Sequence, residues 1–218
     1  SLELLTSPRA FDARLRAEVV ALADDAGIEW SEQPFDALTR WCGAGEHQGL
    51  LALMPPYPCL SLEEVLPELG PAPLLLVLDR IQDPYNFGAI LRSAEVFGVD
   101  AADITPHVAR SSAGAVHHLS ICRVSNLVTA VADLKNAEVL SGLQVVAAAG
   151  EAAQTAAEYN LRDATAIVIG NEGDGVAPEV REACTAEVRI PQVGRVGSLN
   201  AAVATGILLY EARRQRGG

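Results

Sequence analysis

The chain is short of cations. Sixteen Lys and Arg stand against twenty-eight Asp and Glu in 218 residues, a formal net charge of −12. Taken as a total, that excess argues against a nucleic-acid partner held by general attraction to phosphate. Lysine is almost missing: Lys135 is the single one, and the other fifteen cations are arginines, whose planar fork suits phosphate and carboxylate. Cysteine is scarce too. Cys42, Cys59, Cys122 and Cys184 form no CxxC spacing, and no histidine sits at ligand spacing from a pair of them. That excludes a zinc site and a disulfide framework and leaves reduced, buried thiols in a cytoplasmic protein. Unbroken apolar stretches such as Leu74–Leu78 fall far below the ~18 residues of a membrane span. The N-terminus lacks a basic region followed by an apolar run, so no secretory signal is read there.

What is present is material for a core. Half the residues are hydrophobic, enough for one or two domains. Residues 1–54 read as a small, partial α/β unit. A helix is expected over Pro8–Ala26, with Phe11, Leu15, Val19 and Leu22 on one face; a short helix follows over Pro34–Trp41, then a strand over His47–Met54. Trp30 and Trp41 are expected in its core, and His47 is read as structural. A proline-rich linker, 55–73, interrupts the chain. Within it Ser61 and Glu64 have the spacing to cap one helical turn over Ser61–Leu66.

From 74 to 218 the pattern alternates. Strands are expected at Leu74–Leu78, Ala102–Thr105, Ile121–Val124, Leu143–Ala148, Ala166–Ile169 and Glu187–Ile190. Helices are expected at Gly88–Phe97, Ser112–Leu119, Leu127–Leu140, Pro178–Cys184 and Leu199–Arg213. Continuous apolar strands between helices predict an α/β fold, a mostly parallel sheet with helices on both faces. Charge is uneven along this order. Residues 1–70 hold four basic and twelve acidic side chains, whereas 186–218 hold Arg189, Arg195, Arg213, Arg214 and Arg216 against Glu187 and Glu211. The acidic total therefore does not exclude a nucleic acid, which a local arginine surface near the C-terminus could meet.

Three segments follow strands, where open α/β sheets place their ligands. In the first, Asp79 to Ala94, Asn86 reads as an N-cap and Arg92 lies on the helix beyond it. In the second, Ile167 to Val176, a buried strand runs into a glycine-rich loop that is neither GxxxxGK[ST] nor GxGxxG. Glu172 and Asp174 would repel a phosphate there. In the third, Val188 to Ala202, Ser198 reads as the N-cap and Asn200 falls in the first turn of the last helix. Taken singly, each is also explained as a strand, a turn and a capped helix.

Together, in this order and spacing, NFGAILRSAEVFGVD, IVIGNEGDGV and IPQVGRVGSLNAAVATGILLYEA resemble the three motifs of the SpoU/TrmH family of RNA ribose 2′-O-methyltransferases, in the SPOUT superfamily. Ser112-Ala113-Gly114-Ala115 and Val124-Ser125-Asn126-Leu127 are similar to the subgroup acting on a large-subunit rRNA guanosine. Residues 1–54, ending in His47-Gln48-Gly49-Leu50-Leu51-Ala52, resemble part of that subgroup's ribosomal-protein-like substrate-binding domain, its first strand and helix shortened or missing. The resemblance implies a methyltransferase domain over 74–218 with a C-terminal trefoil knot. It also implies a homodimer, RNA rather than DNA as partner, and no membrane. S-adenosylmethionine would be held through Gly170, Ile190 and Leu199.

The same resemblance makes Arg92, Asn86, Glu172, Ser198 and Asn200 the catalytic set. A guanidinium is a poor base, so Arg92 is expected to hold the neighbouring phosphate and the charge developing on the 2′-oxygen. Asn86 would fix loop and substrate, and Glu172 would pair with Arg92 or orient it. Ser198 and Asn200 would orient the ribose or the cofactor's amino-acid end. No metal is called for. His117 and His118 are read as structural or surface residues. Other readings were a tRNA substrate, a non-catalytic RNA-binding or assembly factor on the same fold, and a Rossmann oxidoreductase. The last lacks its glycine fingerprint and ribose-binding acid.

Overall fold

The computed structural model describes residues 2–8, 13–42, 47, 49–53, 59–104, 119–194 and 197–217. The chain divides into two compact units, Ser1–Tyr57 and Pro58–Gly218.

The first unit is a three-stranded sheet with two helices. Its strands are β1 (Glu3–Thr6), β2 (Glu29–Glu32) and β3 (Leu50–Leu53); its helices are α1 (Ala13–Asp25) and α2 (Phe35–Cys42). β1 lies in the centre, parallel to β2 and antiparallel to β3. Leu5 and Leu38 are its fully buried large side chains among the described residues. Two expectations fail here. Leu22 and Trp41 are exposed, at 68% and 56%, so neither belongs to the core. Among the described α1 side chains the buried one is Ala23, four residues beyond Val19 on the same face. His47 is structural: Nδ1 accepts the Gly49 amide at 3.0 Å, Nε2 meets Thr39 Oγ1 at 2.9 Å, and the ring lies 4.3 Å from that of Phe35.

The second unit begins inside the proline-rich stretch. Leu60 bridges to Cys122, and the turn α3 (Leu62–Val65) is closed by the anticipated capping box between Ser61 and Glu64. Seven strands then form one sheet. In chain order they are β4 (Leu74–Leu78), β5 (Ala101–Ile104), β6 (Ser120–Cys122), β7 (Gln144–Ala148), β8 (Gln154–Thr155), β9 (Thr165–Ile169) and β10 (Ala186–Arg189). The spatial order is β6-β5-β4-β9-β7-β10-β8, and every pair is parallel. Helices α4 (Pro84–Val96), α5 (Leu127–Asn136), α6 (Pro178–Ala183) and α7 (Ala201–Gln215) complete the unit. Among the described residues no helix is long and apolar enough to cross a membrane. The expected helix over Ser112–Leu119, with His117 and His118, falls outside the described residues apart from Leu119.

All five residues of β4 and of β9 are buried, which requires cover on both faces of the sheet. Leu75 and Val77 point to a core built with Leu127, Val131, Leu134 and Val180 of α5 and α6. Leu74, Leu76 and Leu78 alternate to the opposite face, where α4 and α7 pack on one another and α7 meets β9. Each such buried side chain contributes ~1.5–3 kcal/mol. Helix starts differ from expectation. Asp83, not Asn86, caps α4, its Oδ1 accepting the Tyr85 amide at 2.9 Å, with Pro84 at the first helical position. Asn200, not Ser198, caps α7.

Candidate active site

β9 is inserted between β4 and β7, out of chain order. The loops that leave the carboxyl ends of β4 and β9 therefore start side by side, at a switch point of the sheet. The loop after β10 joins them through α7. Asn200 Oδ1 accepts the amides of Ala202 at 2.9 Å and Val203 at 3.3 Å, the work of an N-cap. That fixes which way its amide faces. Nδ2 donates to Asn86 Oδ1 at 2.8 Å, and Asn86 Nδ2 donates to Glu172 Oε1 at 2.6 Å. The chain of bonds is directional: helix amides, Asn200, Asn86, carboxylate. Asn86 is available for it because Asp83 does the capping.

Three of the expected catalytic residues are thus joined. Ser198 lines a cavity beside them, together with Gly170, Ile190 and Leu199, the expected cofactor residues. The cavity has a volume of about 250 Å³. Its walls are apolar side chains of Ile169, Ile190, Leu199 and Leu208 and the backbone of a glycine-rich hairpin, 170–175. Gly170 is required there: a Cβ would lie 1.9 Å from the Gly175 carbonyl carbon and 2.0 Å from the Val176 nitrogen. Asn171 closes the hairpin, pairing backbone with Gly175 in both directions at 3.2 Å and accepting the Gly173 and Asp174 amides on Oδ1. Glu151, Glu172 and Asp174 outnumber Arg189 on its lining, and Arg189 is committed to the Ala152 and Ala153 carbonyls, so the site disfavours anions and suits a cationic or neutral ligand.

Arg92 stands apart. It is exposed on α4, is not among the cavity's lining residues, and does not pair with Glu172, whose partner is Asn86. The expected Glu172–Arg92 pair is therefore replaced by an Asn86–Glu172 bond. Among the described cations of the second unit, Arg92 alone makes no hydrogen bond or ion pair. The expected arginine surface near the C-terminus is also corrected. Arg213 donates to the carbonyls of Phe97 and Gly98. Arg216 reaches those of Ala72, Pro73, Leu161 and Asp163. Arg189 holds those of Ala152 and Ala153, and Arg214 is paired with Glu211. Arg195 is outside the described residues.

Residues that sequence reasoning missed surround the site. Arg181 on α6 grips Glu187 with Nε at 2.9 Å and Nη2 at 2.6 Å and also pairs with Glu151. Its own pKa rises, chiefly through Glu187. Glu151 is held below the usual carboxylate range by its own backbone amide and then by Arg181. Burial pushes the Cys184 thiol up to about 11, leaving it a poor nucleophile; the four cysteines form no disulfide. At the end of β4, buried Asp79 accepts the Ala177 amide at 2.7 Å. Its signal in the sequence was an acid directly closing a five-residue apolar strand.

Fold and site define a class: a parallel α/β protein whose carboxyl-edge loops frame one glycine-floored, acid-rimmed cavity. Sequence comparison places it further. The model of the SpoU rRNA Methylase family matches residues 73–210, and the chain belongs to that family. It is an RNA methyltransferase, and the family's methyl donor is S-adenosylmethionine. The 23S rRNA (guanosine-2′-O-)-methyltransferase RlmB of a Burkholderia species is 38% identical over 98% of this chain and 88% of that protein. The crystal structure of the SpoU methyltransferase AviRb from Streptomyces viridochromogenes, in complex with AdoMet, matches with a TM-score of 0.80 and 27% identity. That match covers 99% of this chain and 83% of that one. The A. aeolicus TrmH/SpoU tRNA modifying enzyme matches with a TM-score of 0.59 and 33% identity over 72% of this chain and 81% of its own.

Proposed function

We propose that the protein transfers a methyl group from S-adenosylmethionine to a ribose 2′-hydroxyl, at a guanosine of large-subunit rRNA, as a cytoplasmic homodimer. The observation that carries this reading is the bond chain Asn200–Asn86–Glu172, which gathers the three loops at the rim of one cavity. The cavity's own residues fit the cofactor. Ile190 and Leu199 offer apolar faces to a flat base, Gly170 and Gly173 offer backbone, and the acidic rim suits a sulfonium and an ammonium.

When bound, the cofactor supplies a methyl on positively charged sulfur. The residues do the rest. Asn86, held from both sides, orients the ribose. Glu172, fixed through Oε1, keeps the rim negative. Ser198 positions the cofactor's amino-acid end. Arg92, unpaired in the protein, takes the adjacent phosphate and the negative charge gathering on the 2′-oxygen. The 2′-hydroxyl would give up its proton to solvent as it accepts the methyl, with Arg92 beside the oxygen to offset the charge.

The last segment, from β10 into α7, is read as threading the trefoil knot, in keeping with the out-of-order place of β9. The dimer reading rests on α7, where Val203, Ile207 and Tyr210 leave an exposed apolar stripe at helical spacing. Residues 1–54 are read as the RNA-recruiting domain, which favours rRNA, as does the likeness to RlmB. Mapping ribose methylation in rRNA and tRNA from cells with and without the gene tests the substrate. Loss of one 2′-O-methylguanosine from 23S rRNA is expected. Loss from tRNA alone moves the substrate to tRNA, and no loss in either overturns the reading.

A further inference from the structure

The root of the two site loops has no part in the reading above. Asp79 is 2% exposed, and a buried carboxylate must be matched by donors. Oδ2 accepts the Ala177 amide at 2.7 Å and Arg80 Nη2 at 3.2 Å, while Oδ1 accepts Arg80 Nε at 3.0 Å. The fork of Arg80 therefore lies two-pronged on Asp79, and Nη2 continues to the Gly175 carbonyl at 3.3 Å. Arg80 reaches this position with φ +56°, the only positive φ of a non-glycine among the described residues. Such a backbone is strained for any residue but glycine.

We infer that Asp79 and Arg80 form a latch that sets where the 170–177 hairpin sits for S-adenosylmethionine, with Arg80 as a positioning residue. This rests on the cavity being the cofactor site. The hairpin's own bonds, through Asn171, make it rigid without fixing its place. Two ties do that. One is the Asn86–Glu172 bond at the exposed tip. The other is the latch at the buried root, where a charged acceptor and a forked donor hold Gly175 and Ala177 together. Residues between the ties (Glu172, Gly173 and Asp174) line the cavity. Release of the root displaces that wall and, through Glu172, the amide of Asn86. A shift of ~1 Å at a reacting centre is enough to cost about 10²-fold in rate. The latch thus links the cofactor's wall to the side of the site that orients the ribose.

The test is Arg80→Gly. Glycine adopts φ +56° without strain, so the change removes the guanidinium and spares the backbone. S-adenosylmethionine binding, measured by calorimetry, is expected to weaken about tenfold, the worth of one charge-assisted bond. Exchange of the Ala177 amide should accelerate by about the same factor, with the thermal midpoint within ~3 °C of the parent. Arg80→Lys, which keeps the charge but not the fork, should recover only part of the binding. Asp79→Asn, which keeps an oxygen for Ala177, should fall between parent and Arg80→Gly in exchange. Unchanged binding and exchange in Arg80→Gly overturn the latch. So does a loss of binding that tracks loss of thermal stability through all three variants. If the parent protein binds no S-adenosylmethionine, the cofactor reading itself has failed, and Ala177 exchange still reports whether the root is latched.

Discussion

Arg92 and Arg216 carry the same charge and do opposite things. Arg216 holds four backbone carbonyls at the entrances to β9 and β4, so its charge is turned inward. Arg92 stands exposed on α4 with its donors unoccupied. The C-terminal region looked basic because charges were counted along the chain. In space, Arg189, Arg213, Arg214 and Arg216 are already matched by carbonyls or by Glu211. A cation that serves the fold offers little to phosphate. A cation left unmatched, in a chain of net charge −12, is better placed to attract it.

Replacing each arginine should separate the two roles. Arg92→Ala is expected to lower single-turnover methyl transfer about 10³-fold, the worth of a lost charge stabiliser, with S-adenosylmethionine affinity and thermal midpoint unchanged; near-normal turnover would break the comparison at its root. Arg216→Ala should do the reverse. Orphaning carbonyls costs ~3 kcal/mol, or roughly 6–12 °C in the thermal midpoint of a unit this size, while activity per folded molecule holds. Salt dependence sharpens the contrast further. Arg92→Ala should reduce the slope of log affinity for RNA against log salt by about one, and Arg214→Ala should leave both slope and stability nearly untouched, since Arg214 is solvent-facing and Gln215 Nε2 still holds Glu211.

The smallest effect concerns acid. Arg214 holds Glu211, and backbone and Arg181 hold Glu151, below the ordinary carboxylate range. A carboxyl whose folded pKa is depressed adds stability above its unfolded value of ~4.3 and loses it as pH falls through the folded value. Thermal midpoints should therefore be flat from pH 7 to about 5 and decline below about 4. Arg214→Ala should soften that decline slightly, and Arg92→Ala should not move it.

The contrast also shows what a sequence can display. The strands β4 and β9 were legible because five consecutive buried residues leave an unbroken apolar signature. β1 and β2, with Glu3, Glu29 and Glu32 in four-residue strands, have no such signature and were missed, as was the two-residue β8. The helix starts slid by a few residues because capping is a competition: Asp83 before Pro84 outcompetes Asn86, and Asn200 outcompetes Ser198. That error concealed a gain, since Asn86 enters the site only by not capping. The residues of the site could be gathered from the three loops, but not their pairing. Asn86 and Asn200 lie 114 positions apart, and no local pattern states which of them meets Glu172. Arginine clamps on carbonyls are equally silent, because the acceptor is backbone and carries no residue identity.

The position of Asn200 has a temporal meaning as well. Every strand of the sheet has been made once Arg189 is joined to the chain. The hairpin, Glu172 and Asn86 are then present, but Asn86 lacks the partner that sets its amide, and Asn200 acquires its own orientation only when α7 winds beyond it. A chain still emerging from the ribosome can thus possess its sheet before it possesses its chemistry. The bond chain of the site closes only with α7, the helix that gives Asn200 its orientation.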